Sequence, residues 1–217
     1  MTDVNFPSIV LSHRRADMFV HAVGLILILT AGTALIVRSA TLPGYGLIIA
    51  AAIYVSSALA SNLASWSYHF LPWHAQRIKL RRIDHAAIYP SIAGTFTPFF
   101  VLAGTPWTLF LLCFSWALSV VAIWNKITNP QVKSPWSTAS YLGLGAIGLA
   151  ALPDLTTVPW ATLWCVIGGA FAYVVGTVFY ARKTMPLRYA TWHMCVNIGS
   201  ILMFIGIWRA FFPGNPV

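Results

Sequence analysis

The chain has 217 residues, of which 59% are hydrophobic, 14% aromatic and 8% charged, with a mean hydropathy of +0.76. Soluble domains carry about 25% charged residues, so this composition excludes a particle wetted on all sides and points to one membrane domain. The formal net charge of +9 is spread over short loops beside apolar runs, where it reads as topology signal and lipid-headgroup contact, not as a nucleic-acid surface.

Polar and proline-bearing stretches cut the chain into seven apolar runs, near 17–39, 45–70, 84–103, 106–125, 135–152, 159–181 and 190–212. Each approaches the ~20 residues that a spanning helix needs. The expected fold is therefore all-α, a seven-transmembrane helix bundle. Residues 1–16 form a cytoplasmic N-terminal segment, 17–212 a single seven-helix membrane domain and 213–217 a short C-terminal tail.

Helix one opens with Asp17 and His21, one turn apart and so on one face. Its apolar run is too long for a signal-peptide core and no small-residue cleavage site follows, so it is expected to stay as a helix. Helix two closes on "SWSYHF", with Ser65 one turn before His69. After the connection "KLRR", helix three opens with Asp84 and His85. At about 100° per residue, Asp84, Ser91 and Thr95 share a stripe and His85 turns away from it. Pro98 is expected to kink this helix, and the Gly-Thr-Pro of "AGTPWT" to end it. Gly143, Gly145 and Gly148 on helix five, with Gly168, Gly169 and Gly176 on helix six, are expected to let helices approach closely. Helix seven carries a broad polar stripe of Tyr189, His193, Asn197 and Ser200. His13 and His74 fall in expected loops. Cys113, Cys165 and Cys195 have no metal-ligand spacing and read as reduced packing residues. Trp66, Trp73, Trp136, Trp160 and Trp192 sit near expected helix ends, as interfacial anchors do.

The basic residues give an orientation. Arg14, Arg15, Arg77, Lys79, Arg81, Arg82, Lys126, Lys133, Arg182, Lys183 and Arg188 fall at one end of the bundle, and only Arg38 and Arg209 at the other. Basic residues favour the cytoplasm. The N-terminus is then inside and the C-terminus outside, in a multi-pass protein of the cell membrane, a bacterial inner membrane.

Only four acidic residues are present, Asp3, Asp17, Asp84 and Asp154. Ionisable groups at membrane depth are expensive and usually face the bundle interior. On the topology above, Asp17, His21, His69, Asp84, His85 and His193 share the cytoplasmic depth. Histidines with carboxylates there fit a zinc site, a proton relay or a hydrogen-bonded polar core that fixes helix packing, and spacing leaves all three open. A channel is not indicated, because no continuous polar stripe crosses the membrane; a relay meets the same objection.

The order "SWSYHF", a basic loop, "RRIDHAAIYPSIAGTFTPFF" and "YATWHMCVNIGS" resembles the hemolysin III family, the bacterial branch of the progestin and adiponectin receptor (PAQR) superfamily. The likeness extends along most of the chain, including "HAVG" near the start, where Asp17 stands at a position usually polar in the family. It implies a seven-helix fold with zinc near the cytoplasmic face. It further implies that His69 and His193 are metal ligands, that Asp84 contacts the metal-bound water and that Ser65 is a nearby hydroxyl. The chain departs from the pattern at Tyr189, where the family has the first histidine of a His-x-x-x-His pair. Three arrangements answer that departure: a direct metal bond from Asp84, a contribution from His21 on helix one, or a metal-free core in which Tyr189 bonds to Asp84 or a histidine. The activity implied is zinc-dependent hydrolysis of a membrane lipid amide of ceramide type, with Asp84 and Ser65 as the catalytic groups. The rival class is a non-enzymatic membrane sensor or receptor, or a cytolysis-associated protein.

Overall fold

Seven α-helices follow the apolar runs in the computed structural model, which describes residues 6–129, 135–155 and 158–214. They are α1 (Leu11–Ser39), α2 (Gly46–Phe70), α3 (Arg77–Ala103), α4 (Pro106–Thr128), α5 (Pro135–Ala150), α6 (Trp160–Ala181) and α7 (Arg188–Phe211). Two single-turn 3₁₀ segments, His74–Gln76 and Leu152–Asp154, complete the order. No strand occurs among the described residues. Six helices, all but α5, are long and apolar enough to cross a membrane.

Two helices start well before their apolar runs. α1 begins at Leu11 and α3 at Arg77, so His13 and the "KLRR" stretch, expected in loops, are helical. The reason is that hydropathy marks only the lipid-facing part of a helix. Arginine and lysine are good helix formers and carry the coil on past the apolar segment. Lys133 and Asp3 lie outside the described residues.

The break between α3 and α4 comes where Gly-Thr-Pro stands. Gly104 takes the left-handed conformation, with φ of 62°, at little steric cost because it has no Cβ. Thr105 then caps α4 by accepting from the Thr108 backbone N–H, in a reciprocal capping box with Pro106 in the first turn. α3 itself continues through both Pro90 and Pro98.

The helices close into a ring. α1 packs on α2 and α7, α2 on α3, α6 on α7, and α3 touches α2, α4, α5 and α7. Small residues allow the tightest approaches. A Cβ on Gly176 would lie 2.8 Å from Cys195 Cβ, and one on Gly169 3.0 Å from the Gly199 carbonyl oxygen. Gly143 and Gly145 face nothing within 4 Å, so these two do not serve the close packing expected of them. The three cysteines are free.

The surface is apolar. Phe171 is 68% exposed, Leu149 66% and Val37 65%. Thr108, Ser115 and Ser119, by contrast, are fully buried and hydrogen-bonded. Such a particle suits lipid outside and polar contacts within. Trp73 and Trp160 stand exposed near helix ends, where anchors belong.

Candidate metal centre

Asp17 is completely buried, in the second turn of α1. An uncompensated carboxylate there would cost several kcal/mol, so its partners decide whether the position is tolerable. It has three, all imidazoles. Asp17 Oδ2 lies 2.7 Å from His69 Nδ1, and Oδ1 lies 2.7 Å from His193 Nδ1. His21, one turn along α1, places Nδ1 2.9 Å from the Asp17 carbonyl oxygen and 3.3 Å from Oδ1. Both carboxylate oxygens are thereby used.

Each ring arrives from a different place in the ring of helices. His21 is on α1, His69 is the penultimate residue of α2, and His193 is in the second turn of α7. His21 and His69 are buried, and His193 is nearly so. The centroid separations are 3.9 Å for His21 and His193, 4.9 Å for His69 and His193, and 5.4 Å for His21 and His69. Ser65 Oγ, one turn before His69, lies 3.1 Å from His21 Nε2 and 3.4 Å from His193 Nε2. Phe70 stands edge-on to His21 with centroids 5.0 Å apart, and Tyr189 likewise to His69 at 5.0 Å.

Asp17, His69 and His193 each offer one donor atom, and these atoms lie within 4.8 Å of one another. Neutral imidazoles with a carboxylate are a donor set for a divalent transition-metal ion. The residues present therefore fit a metal. Three helices meet on a single buried acid.

His69 and His193, both picked out by their positions in the sequence, are in this group, and Ser65 is beside it. Asp84 is not a member of the group. It is half-buried on α3, within electrostatic range of His85, Tyr68, Tyr141 and Tyr180. Tyr189 turns its hydroxyl to Arg188, whose Nη2 donates to it at 2.7 Å. Asn197 bonds the Val20 carbonyl on α1, and Ser200 the hydroxyl of Tyr173 on α6. The signal pointing to Asp17 was in the sequence: a carboxylate one turn before a histidine, on the only helix besides α3 that opens with both.

The fold and the site together define a polytopic α-helical membrane protein with a buried histidine–carboxylate centre. The profile of the family described as haemolysin-III related matches residues 12–204. The chain is 33% identical over 192 residues to the hemolysin-3 homolog of Bacillus subtilis (strain 168), covering 87% of this chain and 90% of that one. It is 30% identical over 194 residues to the hemolysin-3 of Bacillus cereus, covering 87% of each. The chain belongs to the haemolysin-III related family, and it is a multi-pass protein of the cell membrane.

Proposed function

We propose that this protein crosses the membrane seven times with its N-terminus inside, holds zinc at the cytoplasmic end of the bundle, and hydrolyses a membrane lipid amide of ceramide type. The observation that carries the reading is the meeting of His69 and His193 around one buried carboxylate, Asp17, in a group that could hold a metal ion. A polar core that served packing alone would be met equally well by neutral hydroxyls and amides. The basic residues at the same end of the helices favour the cytoplasmic placement.

A zinc ion supplies a water of lowered pKa and a Lewis acid for a carbonyl. The chain's residues do the rest. Asp17 fixes the three imidazoles by their Nδ1 atoms, which leaves each Nε2 turned away from it. Ser65 stands where two of those Nε2 atoms point, so its hydrogen is available to a ring nitrogen or to an oxyanion. In the overall reaction water adds at the amide carbonyl, the C–N bond breaks, and a fatty acid and an amine leave. Asp17, on the Nδ1 side of the rings, orients them and is turned away from the Nε2 side where a metal-bound water would stand. It therefore does not take the water-contacting role that the resemblance assigns to Asp84.

The test has two parts. Protein purified without chelator is expected to carry about one zinc per chain, and to release fatty acid from a ceramide-type amide in a manner lost on Ser65→Ala or His193→Ala. Zinc without hydrolysis of any lipid amide would favour the second reading, a non-enzymatic membrane protein. The names of the two relatives, hemolysin-3 and its homolog, direct that reading to membrane lysis. It would be met by release of haemoglobin from erythrocytes that persists in His193→Ala.

A further inference from the structure

We propose that the metal is held through Nε2 by three histidines, His21, His69 and His193, and that Asp17 stays outside the coordination sphere. His21 thus supplies the ligand that Tyr189 does not. This inference rests on the metal reading above and specifies which atoms of this chain make the site.

The hydrogen bonds assign the tautomers. A backbone carbonyl only accepts, so His21 Nδ1, 2.9 Å from the Asp17 oxygen, carries a hydrogen and leaves a lone pair on Nε2. A carboxylate likewise accepts from His69 Nδ1 and His193 Nδ1. All three Nε2 atoms are then acceptors. Ser65 has one hydroxyl hydrogen and lies near two of them, so it satisfies one at most. A buried site with more ring lone pairs than hydrogens to meet them calls for a cation.

The distances also argue against Asp17 as a direct ligand. Donors sharing one tetrahedral zinc at ~2.0–2.1 Å are about 3.3 Å apart. Asp17 oxygens lie 2.7 Å from the Nδ1 atoms of His69 and His193, which is the length of a charge-assisted hydrogen bond. Imidazoles bound to one such ion through Nε2 place their ring centres about 5 Å apart. The centroid separations are 4.9 Å for His69 and His193, 5.4 Å for His21 and His69, and 3.9 Å for His21 and His193. The donor atoms already within 4.8 Å of one another include those of His69 and His193 but not of His21, so His21 has to turn its ring on metal binding to join the other two. Tyr189 presents the edge of its ring to His69 and its hydroxyl to Arg188. It offers the site no donor.

The deciding measurement uses the full-length protein in detergent with zinc(II) as the only added metal. Zinc-edge X-ray absorption of the wild type is expected to give three imidazoles and one oxygen. Zinc affinity, read by competition with a chromophoric chelator, is expected to fall roughly 100-fold or more in His21→Ala, as in His69→Ala and His193→Ala, and to hold within about threefold in Tyr189→Phe. Two imidazoles in the spectrum, or unchanged affinity in His21→Ala, would overturn the ligand set while leaving the metal reading intact. A wild type that binds no zinc would end both. The wild-type spectrum decides the matter even if the His21 variant fails to fold.

Discussion

At the scale of the residue, Asp17 holds the site together, since every imidazole in the cluster touches it. Asp17→Asn tests this with nearly unchanged volume. The amide nitrogen would face the Nδ1 hydrogen of His69 or His193, and one ring would have to flip or change tautomer. Zinc affinity is expected to drop about 10- to 100-fold, the usual effect of losing a partner that orients a ligand, with stoichiometry recovered at saturating zinc. Tyr189→His is the complementary test. With three histidines already in place it is expected to leave affinity within about threefold, measured by the same chelator competition, whereas a tenfold gain would mean that position 189 faces the metal. His69 and His193 were legible in the sequence through the family resemblance of "SWSYHF" and "YATWHMCVNIGS", since spacing alone left a metal site, a relay and a polar core open. Which acid joins them was not. Asp84 and Asp17 both stand at the start of an apolar run, and the choice depends on how α1 and α3 are rotated against α2 and α7, a matter of packing and not of local pattern. The stripe below Asp84 spends part of its polarity locally, since Thr95 bonds the Ser91 carbonyl one turn back on α3.

At the scale of the element, the seam that aims His193 is set by backbone approach. α6 and α7 meet where Gly176 faces Cys195 and Trp192, and Trp192 precedes His193. Gly176→Ala would put a methyl 2.8 Å from Cys195 Cβ and 2.9 Å from the indole. Overpacking of this kind costs about 1–3 kcal/mol, which exceeds the helix-propensity gain of up to ~1 kcal/mol. A lower midpoint of thermal unfolding in detergent is expected. Gly143→Ala meets open space on α5, so the propensity term stands alone and the midpoint is expected to rise. Equal shifts in the two variants would refute the assignment of glycine roles. The sequence displayed both sets of glycines alike, because close contact is a property of two helices and periodicity describes one. The same limit hid the partners of the α7 stripe, where Asn197 reaches α1 and Ser200 reaches α6.

At the scale of the whole molecule, the helix count turns on α5. Its 16 residues give about 24 Å of helix, short of the ~30 Å hydrocarbon thickness. Yet its two ends are tied to opposite ends of α4. Lys126, near the end of α4, bonds Ser137 at the start of α5. Trp107, near the start of α4, donates to the Ala150 carbonyl at 2.9 Å. The 3₁₀ turn that follows extends the path, and Asp154 accepts from Thr105 at the α4 cap. α1 and α7 run parallel, because Asp17 and His193, both close to the start of their helices, are bonded to each other. Parallel first and last helices with a reversal at every connection require an odd number of crossings, so the proposed seven-span topology needs α5 to cross as well. Alkaline phosphatase fused after residue 154 or at the C-terminus is therefore expected to be active, as on the outer face, and a fusion near residue 130 inactive. An inactive fusion after residue 154 would mean that α5 does not cross. Since α6 and α7 would then enter the membrane from the other side, His193 would be carried away from Asp17 and His69, and the metal centre would have to be abandoned with the seventh span.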